Sequence, residues 1–204
     1  MIAVIDYDAG NIKSVEKAFL HINEPVCVTR DQALLRSADR VVLPGVGSFG
    51  DAMAHLRQYH LTETIYELIQ SGKPFLGICL GLQLLFPSSE ESPGVAGLGV
   101  LEGTITRIPD APGYKIPHMG WNDIDITPGS RLFQDIKDPY VYFVHSYYLK
   151  AADRKDVAAT TSYHVSIDAA VERGNLFACQ FHPEKSSDTG LQILRNFASI
   201  GEVE

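Results

Sequence analysis

Apolar and polar positions repeat with two different periods along this chain, and the period changes near its middle. In the first half, short apolar runs are each followed by helical spacing. IAVID (2–6) ends in acidic and glycine turn residues, after which NIKSVEKAFLHI (11–22) places Ile12, Val15, Phe19 and Ile22 on one helical face. EPVCVT (24–29) and DRVVLPG (39–45) read as the second and third strands, with a short helix in DQALLRSA (31–38) between them. FGDAMAHLRQYHLTETIYELIQSG (49–72) reads as one interrupted helix or two, and KPFLGIC (73–79) as a fourth strand. Strands alternating with helices predict an α/β fold: a doubly wound, mostly parallel sheet covered on both faces, with ligands at the carboxyl ends of its strands.

The second half reads as an antiparallel extension. LGVLEGTITRI (98–108) and DVAATTSYHVSIDAAVERGNLFACQF (156–181) are β-branched and aromatic runs, and turns such as TPGS (127–130) and ERGN (172–175) punctuate this half. SSDTGLQILRNFASI (186–200) predicts a closing helix capped at Ser187 or Asp188, with Leu191, Leu194 and Phe197 on one face. SSEESPGVAGLG (88–99) is the one stretch that resembles a flexible loop, and it is too short to link two domains. With 204 residues, 45% of them hydrophobic, the expectation is a single domain over 1–204.

Charge narrows the partners. A formal net charge of −8 disfavours nucleic acid and anionic lipid. The start, MIAVIDYDAGN, has no basic leader, and no apolar run is long enough to span a bilayer, so a cytoplasmic location is expected. Cys27, Cys79 and Cys179 are odd in number and widely spaced, which predicts free thiols and no zinc site.

One of these thiols has a distinctive setting. In GICLGLQ (77–83) a strand runs into a helix through Gly-x-Cys-x-Gly, the pattern of a nucleophile elbow. Such a turn exposes the sulfur at the sheet edge, sets the thiolate at a helix amino terminus, and aims the Leu80 N–H where an oxyanion would form. A core cysteine in a tight turn has the same pattern. Near the carboxyl end, NLFACQFHPEKS is an apolar strand stopping at His182, with Pro183 ending regular pairing and Glu184 two residues on. His182 at a strand end could serve as base, with Glu184 holding its tautomer. A surface turn with a solvated histidine is the plainer alternative. The combination is more specific than either part.

GICLGLQ followed by QFHPEKS resembles the class I (triad) glutamine amidotransferases. VVLPGVGSFGDAM, IPHMGWN, YFVHSYY and IDYDAGNIKSVEKA resemble, within that class, the glutaminase subunits of imidazole glycerol phosphate synthases. The loop Pro44-Gly45-Val46-Gly47 stands where other members have a Pro-Gly-Gly type loop, which favours this subfamily. The resemblance implies a flavodoxin-like sheet, no cofactor and no metal, and glutamine hydrolysis by Cys79, His182 and Glu184. It further implies an oxyanion hole from Leu80 and the Val46–Gly47 loop, and glutamine contacts from Gly47, Gln83, Ser146 and Tyr147. For Ser146 and Tyr147 a plain hairpin role is the alternative.

The implied partner is a (β/α)8 barrel cyclase that receives the ammonia and makes imidazole glycerol phosphate and AICAR in histidine biosynthesis. Asn11, His118, Met119, Trp121 and Asn122 are the candidate docking residues, although a lone tryptophan is more often core. Val46 is stiff and β-branched, so the peptide before it is a candidate gate that the partner turns. Two other readings stay open: a glutaminase of another synthase, such as pyridoxal phosphate synthase, or a stand-alone cysteine hydrolase of similar fold.

Overall fold

A computed structural model describes residues 1–201. The first half builds β1 (Ile2–Ile5), α1 (Ile12–His21), β2 (Val26–Thr29), α2 (Gln32–Ser37) and β3 (Arg40–Leu43). After these come α3 (Phe49–Gln58), α4 (Thr62–Gln70), β4 (Phe75–Ile78) and α5 (Leu80–Leu84). The long helical stretch is therefore two helices. His60 takes a left-handed backbone (φ 53°) between them, which stops α3 and redirects the chain.

The second half supplies β5 (Gly103–Arg107), β6 (His118–Asp123), β7 (Asp125–Ile126), β8 (Tyr140–His145), β9 (Tyr147–Ala151), β10 (Val157–Tyr163), β11 (Val165–Arg173) and β12 (Leu176–Cys179). A 3-10 turn, Pro183–Lys185, then leads to the closing helix α6 (Ser187–Ser199). The main sheet runs β2-β1-β3-β4-β12-β11-β10-β7, and β9 pairs with β11 and carries β5. Pairing is parallel from β2 through β12 and antiparallel beyond. β6 and β8 form a separate antiparallel ribbon.

Alternation within the strands explains the two layers of helices. Ala3 and Ile5 of β1 join Val41, Leu43, Met53, Leu56 and Ile65 in one core. Ile2 and Val4 face the other side, against Val15, Phe19, Leu194 and Phe197. A strand buried on both faces has to be apolar at every position, as IAVI is.

Local expectations need two amendments, at the α6 cap and in the stretch 88–99. The cap of α6 is Ser186, and Ser187 already has φ 51°. Ser186 Oγ does not cap the helix but donates to the His182 carbonyl at 2.6 Å and accepts from Tyr142 N at 2.9 Å, tying the His-Pro-Glu turn to β8. On α6 itself, Leu194 and Phe197 are fully buried and half-buried Leu191 packs against the same core, as expected, with Ile193 buried beside them. The stretch 88–99 is a fastened strap, not a free loop. Glu90 Oε2 accepts from Arg107 N at 2.7 Å, Glu91 Oε2 from Phe49 N at 2.8 Å and Ser92 Oγ from Gly50 N at 3.0 Å, while Leu98 is buried.

The elbow depends on a close backbone approach. A Cβ at Gly81 would lie 1.9 Å from the Leu43 carbonyl oxygen, so only glycine lets α5 sit against the end of β3. Gly81→Ala is expected to cost ~2 kcal/mol or more by overpacking, since backbone rather than a flexible side chain must give way. A chemical-denaturation midpoint equal to that of the parent would contradict this packing.

Candidate active site

Parallel pairing brings the two halves of the site together. Cys179, the last residue of β12, lies in register with Ile78, the last of β4, and its carbonyl accepts from Cys79 N at 2.8 Å. The chain leaves both strands at the same sheet edge. From β4 it turns through Cys79 into α5, and from β12 it continues through Gln180 and Phe181 to His182.

Cys79 occupies the strained conformation expected of an elbow, with φ 56° and ψ −107°, a region that costs a non-glycine residue about 1–3 kcal/mol. Among the described residues all three cysteines are free. Burial pushes the Cys179 thiol well up, and it donates to the Phe181 carbonyl at 3.5 Å, so Cys179 stays neutral beneath the elbow.

His182 Nδ1 and Glu184 Oε1 are 2.7 Å apart, and neither side chain has exposed surface. Asn11 Nδ2 donates to the same Glu184 oxygen. Glu184 Oε2 is buried without a hydrogen-bond partner, so the carboxylate charge is answered by the imidazole and one amide. His182 Nε2 makes no conventional hydrogen bond either, and it is the nitrogen left for Cys79. Burial alone disfavours the imidazolium, but hydrogen bonding and charge from Cys79 and Glu184 outweigh it and raise His182 to about 10. The arrangement holds a thiol, an imidazole and a carboxylate in order.

A cavity of about 340 Å³ opens on the sulfur. Val46, Gly47, Cys79, Leu80, Gln83, Ser146, Tyr147 and His182 all line it. Gln83 is buried and donates from Nε2 to the Tyr147 carbonyl at 3.1 Å and to Gln180 Oε1 at 3.0 Å. The Leu80 N–H differs from expectation: it donates to the Gly45 carbonyl at 3.3 Å and is not free for an oxyanion. Carbonyl and N–H of a trans peptide point in opposite directions, so the Val46 N–H of that same peptide faces away from the elbow. Val46 is held from behind, since a Cβ at Gly10 would stand 2.7 Å from its Cγ2.

The candidate docking residues separate by position. Met119 and Trp121 are 60% and 49% exposed on β6, with Trp121 edge-on to Tyr142, whereas half-buried Asn122 lies on the His118 side and donates to the Ser162 carbonyl at 3.0 Å. Asn11 reaches the triad. His118 is not on the surface: it is 3% exposed, stacked between Phe143 and Tyr163, with Nδ1 3.0 Å from His145 Nε2. Strand alternation explains this, because His118 and Met119 point to opposite faces of the ribbon.

Sequence reasoning left out three residues. His145 and Glu91 line the cavity, and Gln180 lies against the sulfur. Burial holds His118 and His145 down at about 4 and about 3, so this pair is neutral. A period-2 reading beyond β12 would have found Gln180, which shares a side with His182. His145 and Glu91 carried no local signal.

Among the described residues no cluster suits a metal ion, and no helix is long and apolar enough to cross a membrane. Residues 3–200 match the family model described as glutamine amidotransferase class-I. Two similar proteins are each called imidazole glycerol phosphate synthase subunit HisH. That of Methanothermobacter thermautotrophicus is 52% identical over 200 residues, covering 98% of both chains. That of a Cyanothece species is 53% identical over 202 residues, covering 98% of this chain and 95% of the other. A solved glutamine amidotransferase superposes with TM-score 0.75 at 18% identity, covering 97% of this chain and all of that one. A putative GMP synthase component from Thermoplasma acidophilum gives 0.71 at 19%, covering 98% and 92%. These two likenesses concern the fold. Elbow, His-Pro-Glu turn, sheet order and full-length identity agree, and the chain belongs to the class-I glutamine amidotransferase family, among the HisH subunits of imidazole glycerol phosphate synthase.

Proposed function

We propose that this chain hydrolyses glutamine to glutamate and ammonia with Cys79 as nucleophile, His182 as acid and base, and Glu184 as the group that orients and charges the imidazole. One observation carries the reading: the buried His182 ring is held by Glu184 at 2.7 Å on Nδ1, with Nε2 left for a thiol in a strained elbow. The Cys79 proton passes to His182 Nε2 as sulfur attacks the side-chain carboxamide of glutamine. Collapse of the tetrahedral intermediate returns that proton to the departing nitrogen and releases ammonia. Water, deprotonated by the same histidine, then cleaves the glutamyl thioester. Gly47, Gln83, Ser146 and Tyr147 are assigned to the bound glutamine, since they surround the cavity in front of the sulfur.

The ammonia goes to a second subunit. The relatives' names describe one subunit of a synthase, and we assign the other as a (β/α)8 barrel cyclase that makes imidazole glycerol phosphate and AICAR in the cytoplasm. A single domain over residues 1–204 carries the glutaminase, without cofactor. Met119 and Trp121 supply the docking face, half-buried Asn122 borders it from the His118 side, and Asn11 is assigned to the same interface while holding Glu184. Such docking keeps ammonia from escaping into water and becoming protonated.

The Gly45–Val46 peptide is the gate of this reaction. With the Gly45 carbonyl on the Leu80 N–H, both expected oxyanion donors are withheld, and each missing donor costs about 2.7–4 kcal/mol in the transition state. Turning one peptide moves that carbonyl away and brings the Val46 N–H in.

Glutamine hydrolysis by the chain alone, then with the cyclase and its phosphoribosyl-containing substrate, tests the assignment. Strong stimulation is expected, abolished in Cys79→Ala and reduced ~10²-fold or more in Glu184→Gln. Hydrolysis indifferent to the cyclase would point to a different synthase. Val46→Gly removes the stiff side chain, and its basal activity is expected to rise while its dependence on the partner falls. An unchanged ratio of stimulated to basal rate would rule out the peptide as the gate.

A further inference from the structure

Gln180 stands two residues before His182 and has no exposed surface. Its backbone N–H donates to the Ala169 carbonyl at 2.8 Å, which fixes it to β11. Its side chain spans two groups. Nε2 donates to Cys79 Sγ at 3.7 Å, and Oε1 accepts from Gln83 Nε2 at 3.0 Å.

A primary amide can be turned end for end with almost no change of shape, so its partners must decide which end meets the sulfur. Here the decision traces back to a backbone carbonyl. The Tyr147 oxygen can only accept, and it takes one N–H of Gln83 at 3.1 Å. That sets the Gln83 amide group toward Tyr147 and leaves its other N–H for an acceptor, which Gln180 Oε1 provides. Gln180 Nε2 is thereby turned to Cys79. The orientation has chemical meaning, because a sulfur anion accepts a hydrogen bond far better than a thiol does. A reversed amide would instead accept from S–H and favour the neutral thiol.

The geometry points to Gln180 as a further catalytic residue, a hydrogen-bond donor to the Cys79 sulfur whose orientation is imposed by Gln83 and the Tyr147 carbonyl. When the Cys79 proton moves to His182 Nε2, the electron pair stays on sulfur and the Gln180 N–H holds it there. Gln83 then has two tasks, since both its N–H groups are committed to this chain and its Oε1 is what remains for glutamine. The role in turnover rests on the glutaminase reading, whereas its test does not.

The rate of iodoacetamide alkylation of Cys79 is measured from about pH 5 to pH 10, with peptide mass distinguishing it from Cys27 and Cys179. Gln180→Met, which keeps the length and removes the donor, is expected to move the midpoint upward and slow alkylation near neutral pH about tenfold. Gln180→Glu keeps the shape but sets a negative charge beside the sulfur, and its midpoint is expected to lie higher still. A folded Gln180→Met with the parental midpoint would overturn the inference even if its glutaminase activity were lost, because that loss would then be structural. Should neither Gln180 variant fold, Gln83→Met releases the amide from its orienting partner: a smaller upward move supports the inference, and an unmoved midpoint overturns it. Because alkylation needs no glutamine, the result stands whether or not the chain proves to be a glutaminase.

Discussion

The site depends on the parallel pairing of β4 with β12, two strands a hundred residues apart in sequence that end at the same level of the sheet. Parallel neighbours release their chains on the same edge, so one strand delivers a thiol and the other an imidazole with no further device. Everything else in the site adjusts this meeting. The register also explains why an otherwise antiparallel second half returns to the parallel sheet for four residues: only a strand in that direction puts His182 beside Cys79 and not at the opposite end.

Holding the two groups there is costly, and the surrounding structure offsets the cost locally. Cys79 has a backbone that a non-glycine residue resists, and β4 and α5 impose it from both sides. The His182–Glu184 pair is removed from water, where a lone charge is strongly penalised, and each member has one buried polar atom unanswered. Ser186, Tyr142 and Asn11 fix this pair by hydrogen bonds from three other elements. Rigidity at the triad contrasts with the loop in front of it, where the Gly45 carbonyl, and not the Val46 N–H, is turned to the elbow. Gly47 has φ 102°, a backbone that glycine adopts without the strain a side chain would add.

The ribbon β6–β8 connects the outer face to this interior. On one face it carries exposed Met119 and Trp121; on the other it buries His118 against His145, which lines the cavity. Burial keeps both rings neutral, so two packed, uncharged imidazoles stand between the exposed Met119–Trp121 face and the cavity. The exposed face therefore lies one strand away from the cavity.

Sequence alone determined the local chemistry. Periodicity placed the first four strands and their helices, Gly-x-Cys-x-Gly named the elbow, and His-Pro-Glu named a candidate base with its candidate orienting acid, because these depend on neighbours within a few residues. Tertiary structure decided what depends on partners distant along the chain. It gave the Leu80 N–H to the Gly45 carbonyl, buried His118, fastened residues 88–99 to the start of α3 and to β5, and set the amide of Gln180 against the sulfur and that of Gln83 against the Tyr147 carbonyl of β9. The physical reason is the reach of the forces: backbone sterics and side-chain period act over one turn, whereas the occupancy of a hydrogen-bond donor or the burial of a ring is settled only when separate strands meet.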